Sequence, residues 1–442
     1  MAQPFETATI VRPEMPASAL QSRELSAQRL LMTYVITGLL FMLLPGTFLG
    51  VWNLISISGS HGAAVSTTWI QAHGHAQIFG WIGTFILGIG FYSIPKMAGR
   101  PAPPVLAGWI AWLFWTTGVL LRWSAGIYQG QWRIAFPASA ALEMCAFLIF
   151  LVKVRSHRSA PSNAGAMPVW ILSVLVGTIS LGLSLLMNLL AAAYIGFYGA
   201  TPAFPTIFEA RLLVMLTYGF IVPTVWGFSA RWLPVFLGLR AVNQRLLRLA
   251  LLCAIVGVLL ALAGLFHTSP WFLVLASIVA IVALHLFEKP ERPAKIVGVH
   301  ASFPVFVRIA YVWLVIAADL GVCAAYFDHT YGWIGASRHA LTVGFISTMV
   351  FAIGQRVLPA FAGMRLLYSP RLMFASLVLL NVGCALRVSS EALAYEGYWP
   401  PAWRILPWSA VCELMAVTVF AANLMLTFKQ PPAHQAKLVS IS

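Results

Sequence analysis

From Leu30 to Phe428 the chain is a succession of apolar runs, most near or above the roughly 20 residues that a helix needs to cross a bilayer. Inside lipid every backbone N–H and C=O must be bonded within the protein, which leaves only helices or closed barrels, and these runs are far too long for barrel strands. They predict spans near 30–56, 69–95, 103–122, 134–153, 168–196, 205–234, 244–266, 270–288, 303–326, 334–359, 370–388 and 403–428. The expectation is an all-α membrane protein of about twelve transmembrane helices. It is divided into a cytoplasmic N-terminal tail (1–29), a membrane domain (30–428) and a cytoplasmic C-terminal tail (429–442). Residues 1–29 are polar and contain proline, and the first span is longer than a signal-peptide core, so no cleavable signal is read there. No loop is long enough for an extramembrane domain.

A formal charge of +15 raises the question of a nucleic-acid partner. The distribution of the basic residues answers it. They gather at the two tails and at the loops after spans 2, 4, 6, 8 and 10, as at Arg23, Lys96, Arg155, Arg240, Lys295 and Arg371. The positive-inside rule then places both termini in the cytoplasm, which an even number of spans also requires. The charge is topological, and the partner it implies is the lipid bilayer. The five cysteines all fall within predicted spans and form no CxxC, which argues against a disulfide framework or a zinc site.

Two segments are near-copies. One is HGHAQIFGWIGTFILGIGFYSIPKMAGR, His73 to Arg100; the other is RHALTVGFISTMVFAIGQRVLPAFAGMR, Arg338 to Arg365. Aligned on Pro95 and Pro359, His75 falls on His339, Gly80 on Gly344, Gly90 on Gly354 and Gly99 on Gly363. A degenerate third copy, TYGFIVPTVWGFSARWLPVFLGLR, runs from Thr217 to Arg240 and puts Gly219 and Gly238 in register when anchored on Pro234. The tripeptide WRI opens the fourth span at Trp132 and the last at Trp403, and Glu143 and Glu413 follow within those spans. Three pseudo-repeats of four helices is the economical reading.

Histidines are the chemistry this pattern offers. His73 and His75 lie about one turn into span 2, and His339 about one turn into span 10. Both spans run inward from the outer face. Residues two apart on a helix point roughly 200° from each other, so His73 and His75 cannot both meet one metal. Ionisable groups within a membrane are expensive and usually functional. Two neutral imidazoles from opposing helices, with few thiols or carboxylates near, suit an iron held on both faces of a haem. The glycines around them, Gly74, Gly80, Gly83, Gly88 and Gly90, are expected to let a flat macrocycle approach the backbone. Arg122, Arg338 and Arg387 lie at helix ends on the histidines' side, where propionates would need charge-assisted donors. Arg122 follows Pro95 by 27 residues and Arg387 follows Pro359 by 28. His61, His157, His267, His300, His329 and His434 read as loop, helix-end or tail residues, and His285 as lying deep in span 8. Glu143, Glu413 and Asp319 read as buried acids, carrying protons or simply hydrogen-bonded.

These motifs resemble those of a known family. The H-x-H-A-Q-x-F-G-W run from His73 with P-x-x-A-G-R, the middle S-A-R-W-L-P, and R-H-A-L-T-V-G with R-V-L-P together look like NnrS. These are twelve-helix bacterial membrane proteins associated with haem and copper and with the response to nitric oxide. The resemblance spans about 30–428. It implies a haem, b-type, with copper possible; a role in nitrosative stress and denitrification; and NO or another diatomic as a small ligand. Many members carry Glu after the second histidine, where this chain has Ala76.

A remoter similarity runs to the catalytic subunit of haem–copper oxidases and nitric oxide reductases, whose spans 2 and 10 supply the low-spin haem ligands. HGHAQIF then favours His73 as the ligand, whereas the internal repeat favours His75. In those enzymes spans 6 and 7 also supply three histidines for a copper, and here residues 205–266 contain none. The expectation is therefore a haem-binding membrane protein serving the response or resistance to nitric oxide, with His73, His75 and His339 as metal ligands and Arg122, Arg338 and Arg387 around the cofactor. Whether it is an enzyme stays open. Two rival readings remain, a transporter or channel built from three repeats and a haem oxidoreductase acting on quinol or NO.

Overall fold

A computed structural model of the protein describes residues 16–59, 65–97, 102, 104–156 and 167–431. The positions of His61, Gly99, Arg100, His157 and His434, and most of both tails, fall outside these residues.

The described chain is built of helices. The first, α1, runs Ala17–Phe41, widens into a π-helical segment Met42–Phe48 and resumes as Leu49–Gly59. It is followed by α2 (Thr67–Met97), α3 (Leu106–Tyr128), α4 (Trp132–Ser156), α5 (Val169–Tyr198), α6 (Thr206–Leu237), α7 (Gln244–Leu262), α8 (Ser269–Ala283), α9 (Phe303–Phe327), α10 (Gly332–Phe361), α11 (Pro370–Tyr395) and α12 (Ala402–Lys429). Ten of these are long and apolar enough to cross a membrane; α3 and the 15-residue α8 are not among the ten. The protein is thus a multi-pass membrane protein, and the expected count of about twelve spans stands at ten on length and apolarity. Because α1 begins at Ala17, residues 17–29, read from the sequence as tail, form the first turns of that helix.

Each helix packs against the next, and α12 returns to α1, so the bundle closes on itself. Three helices lie inside it. In the apolar stretches of α2, α6 and α10, 83%, 78% and 67% of residues are buried, against 33–50% in the seven other spans. These are the three helices that carry the near-copied segments. Each contains a π-helical segment: Ala76–Gly83 in α2, Met215–Ile221 in α6 and Ala340–Ser347 in α10. Gly80, Gly219 and Gly344 lie within these segments, and Pro95, Pro234 and Pro359 lie 15 residues after each glycine, still within helix. A π turn holds one extra residue, which turns the face below it by about 100° relative to the face above.

Lipid removes the hydrophobic drive between helices, so close van der Waals packing through small residues must hold the bundle together. The glycines of α2 do this rather than border a macrocycle. A methyl at Gly80 would lie 2.9 Å from Phe41 Cβ, one at Gly83 2.6 Å from the Trp115 ring, and one at Gly90 2.8 Å from the Phe150 ring. Gly88 meets Tyr34 in the same way. Only Gly74 among the five faces open space. The expectation that this glycine face admits a cofactor is corrected for the other four, because protein side chains already fill it.

Below the π segments, α2, α6 and α10 surround a partly open apolar cleft, lined by residues such as Phe85, Ile89, Val225, Trp232, Met349 and Ile353.

Candidate metal-ligand site

The local structure around His73 begins on α1. Pro45 lacks an N–H and sits within the first π segment, where the ladder of helical bonds is already irregular. The carbonyl of the next residue, Gly46, lies 2.8 Å from His73 Nδ1. A carbonyl can only accept, so Nδ1 carries the proton and the lone pair resides on Nε2. Gly50, one turn further along α1, makes room for the ring: a methyl there would lie 2.6 Å from His73 Cε1.

His339 is arranged in the same sense. Its Nδ1 lies 2.9 Å from the Gly335 carbonyl and 2.9 Å from Glu391 Oε2 on α11. The Gly335 carbonyl can only accept, so again Nδ1 holds the proton and the lone pair resides on Nε2, while Glu391 Oε2 beside it is buried without a hydrogen-bond partner. Glu391 Oε1 accepts from Arg387 Nη2 at 3.1 Å, one turn earlier on α11. Gly335 admits this carboxylate, since a methyl at that position would come 2.5 Å from Glu391 Oε1. His73 and His339 are close enough for electrostatic interaction, and Arg387 acts on His73 as well. Both rings border open space: His73 is half-buried, and the His339 side chain keeps 26% of its exposure.

His75 points the other way. Its Nε2 lies 2.7 Å from Glu143 Oε1 on α4, and its ring stacks on Phe79 with centroids 4.3 Å apart. Glu143 Oε2 accepts from Asn188 Nδ2 of α5 at 3.2 Å. The side chain keeps only 6% exposure. The sequence left open which of the two histidines faces His339; the structure turns His73 to that side and encloses His75 between α2 and α4.

The arginines divide similarly. Arg387, through Glu391, belongs to the His339 group, and its Nε and Nη1 are buried with no bonding partner. Arg338 lies in the field of Glu209, Glu391 and Asp328. Arg122 sits instead with the His75 group. It is 2% exposed, reaches Gln71 Oε1 at 3.3 Å and the Pro202 carbonyl at 3.4 Å, and lies 4.2 Å over the Phe136 ring. Glu143 and Glu209 both act on it.

One arrangement recurs at two places. A methyl at Gly118 of α3 would touch Glu143 Cγ at 2.8 Å and the Ser139 carbonyl at 2.9 Å; one at Gly383 of α11 would touch Glu413 Cγ at 2.9 Å and the Ser409 carbonyl at 3.1 Å. Arg122 and Arg387 each follow their glycine by four residues. The two acids differ in their partners: Glu143 is bonded, whereas Glu413 Oε1 is buried and unpaired.

Sequence reasoning missed Gly46, Gly50, Gly335, Gln71 and Asn188. Glu391 joins the group as well, and its i,i+4 spacing from Arg387 was readable in the sequence. His285, expected deep in span 8, lies beyond the end of α8 in a left-handed turn (φ 54°), with its Nδ1 2.6 Å from Glu288. His267 packs on Tyr326 and His300 bonds Ser302. Among the described residues no three His, Cys, Asp or Glu side chains are grouped to hold a metal on their own.

With this geometry in hand, the chain can be compared with known proteins. No curated protein matches it. Among solved structures it is similar to a haem–copper terminal oxidase dimer determined by cryo-electron microscopy, with a TM-score of 0.71 at 13% identity, over 92% of this chain and 85% of that one. At that identity the likeness shows the fold: the helices are arranged as in a haem–copper oxidase. The family model described as NnrS protein matches residues 32–431. The chain belongs to the NnrS family.

Proposed function

We propose that this protein binds a b-type haem between His73 and His339, in the inner membrane, and serves the bacterial response to nitric oxide. The observation that carries the reading is the shared state of the two imidazoles. On inner helices, each commits Nδ1 to a backbone carbonyl oxygen and so keeps its lone pair on Nε2. That is how protein groups orient a histidine that ligates a metal. Arg387, with two unsatisfied nitrogens, and Arg338 supply donors suited to propionates. The residues present therefore fit the group.

Bound there, a haem supplies one-electron chemistry and, when a ligand position opens, affinity for diatomics. The protein's part is orientation and exclusion. Gly46 and Gly335 fix the tautomer and ring plane of the two histidines, and Gly50 lets His73 stand upright against α1. The polar group of Glu391, Arg387 and Arg338 balances charge on one side, and the apolar residues of α2 and α10 keep water from the other. His75, with its nitrogen held by Glu143, acts as a structural post between α2 and α4, and Arg122 as its neighbour. The NnrS membership and the oxidase-like fold support the same reading.

The test is the visible spectrum of the protein purified from membranes. A Soret band is expected in the wild type, lost in His339→Ala and in His73→Ala and kept in His75→Ala. A colourless wild type overturns the proposal.

A further inference from the structure

The lining of the cleft below the π segments follows the near-copied segments residue for residue. Nine residues before Pro95, Pro234 and Pro359 stand Ile86, Val225 and Val350, and six before them stand Ile89, Phe228 and Ile353. All six border the cleft, and all six are half-buried although they lie on the three most buried helices. Thirteen before the prolines are Ile82, Ile221 and Ile346, which border its upper end. The same face of each segment thus turns to one space. That space is held open from outside. Seven residues before the proline each helix carries a small residue on another face. A methyl at Gly88 would lie 2.5 Å from Tyr34 of α1, one at Gly227 2.8 Å from Val174 of α5, and the third position is the buried Ala352. Close packing of this kind draws each inner helix outward onto its neighbour. At the lower end the Phe361 ring meets those of Tyr92 and Trp232, with centroids 5.2 and 6.3 Å away.

We infer that this cleft is a binding site for small, uncharged apolar molecules the size of a dissolved diatomic gas, which reach it from the bilayer. The inference is independent of the haem reading, since it uses no metal and no residue assigned to one. Water is a poor occupant. Of the polar side chains in the lining, Thr224 gives its hydroxyl proton to the Phe220 carbonyl of its own helix at 2.7 Å, and Ser229 Oγ is buried and offers no free oxygen. The indole N–H of Trp232 is the donor left, and a water in such a place needs about two to four polar partners. A lipid chain is a poor occupant too, because the three rings at the lower end stand between the cleft and any head group there. The room available is about 120 Å3. That is close to the engineered cavities of about 150 Å3 that stay dry and take up benzene or xenon. Apolar solutes already favour hydrocarbon over water, so the bilayer concentrates such molecules beside the protein.

The experiment is diffraction from crystals of the full chain pressurised with xenon, an apolar atom that its anomalous scattering locates. A xenon peak is expected between Ile86, Val225 and Ile353 in the wild type. It should vanish in Val225→Phe, whose ring fills the space, and lose occupancy severalfold in Val350→Leu, which adds a single methylene. Xenon found only among the lipid-facing side chains of the outer helices overturns the inference. So does ordered water or a hydrocarbon chain in the cleft of an unpressurised crystal, and so does a peak that persists unchanged in a folded Val225→Phe. The wild-type crystal decides the matter by itself if a variant fails to fold. A colourless protein that takes up xenon here would remove the haem reading and leave this one standing. A haem-loaded protein with no xenon in the cleft would do the reverse.

Discussion

His75 and Glu143 lie 2.7 Å apart and enclose each other: the imidazole is the carboxylate's neighbour on α2, and Asn188 closes the other side. This pair is why two histidines in an H-x-H run do different work. A residue two places away on the helix faces Gly46 and the interior, and the one between them, Gly74, faces open space.

The first prediction concerns that pair. His75→Ala leaves a fully buried acid with one partner fewer, which costs about 1–3 kcal/mol. The variant is expected to melt earlier than the wild type in a fluorescence-detected thermal assay while retaining its visible spectrum. A spectrum lost together with an unchanged melting temperature would reverse the assignment of the two histidines.

Gly50 gives a second. A methyl there would collide with the His73 ring at 2.6 Å, and the nearest atoms belong to the ring itself rather than to a flexible tip. Gly50→Ala should therefore displace His73 and lower haem content severalfold. Gly74→Ala, with nothing within 4 Å, should leave it unchanged. Equal haem content in the two variants would contradict this cradle.

Gly118 and Gly383 give a third. At each, a methyl would press on a glutamate Cγ and on a serine carbonyl of the neighbouring helix, and a backbone oxygen cannot rotate away. Either substitution by Ala is expected to destabilise the bundle by about 1–3 kcal/mol. The measurement is steric-trap or denaturant unfolding in micelles; stabilities equal to the wild type would refute the tight α3–α4 and α11–α12 contacts.

A fourth prediction concerns pH and lies outside the spans. The Glu396 carboxylate accepts from the backbone N–H of His329, Thr330 and Gly332 at 3.3 Å each and from Thr330 Oγ1 at 2.9 Å. Burial alone would raise its pKa, but the Thr330 hydroxyl, a proton shared with Asp328 and the loop amides outweigh it, and the carboxyl is held below its usual value. Asp328, desolvated and beside that charge, is pushed the other way. A folded pKa below the unfolded one means that Glu396 contributes stability above the ordinary carboxylate range, and that this is lost as pH falls through the depressed value. Amide exchange at 329–332, corrected for intrinsic rate, should accelerate in acid, and Glu396→Gln should flatten that dependence. Protection that stays constant across the acid range would count against it.

Much of the architecture was legible because lipid makes the signal strong: long apolar runs could only be helices, and the near-copied segments fell on the three buried ones, α2, α6 and α10. His73, His339 and Arg387 were also readable, since ionisable groups in such runs stand out. What surrounds them was not. Gly46 meets His73 across 27 residues and Glu391 meets His339 across 52, and no local period records a contact between separate helices. The π segments were invisible too. Apolar periodicity assumes 3.6 residues per turn, and a single widened turn changes which face follows without changing composition. The glycines of α2 misled for a related reason: they read as space for a cofactor, whereas Phe41, Trp115, Tyr34 and Phe150 already occupied it.

The widened turns also bear on how such a chain tolerates change in length. Each π segment amounts to one supernumerary residue in an otherwise regular rod. Excision of a single residue from 76–83 or 340–347 would restore an unbroken α-helix and rotate everything below by about 100°. The histidines would stay where they are while the lining of the cleft swung toward the outer ring of helices. Single-residue deletions, ordinarily ruinous in a membrane helix, would here repair the local geometry and still uncouple the two halves of the bundle.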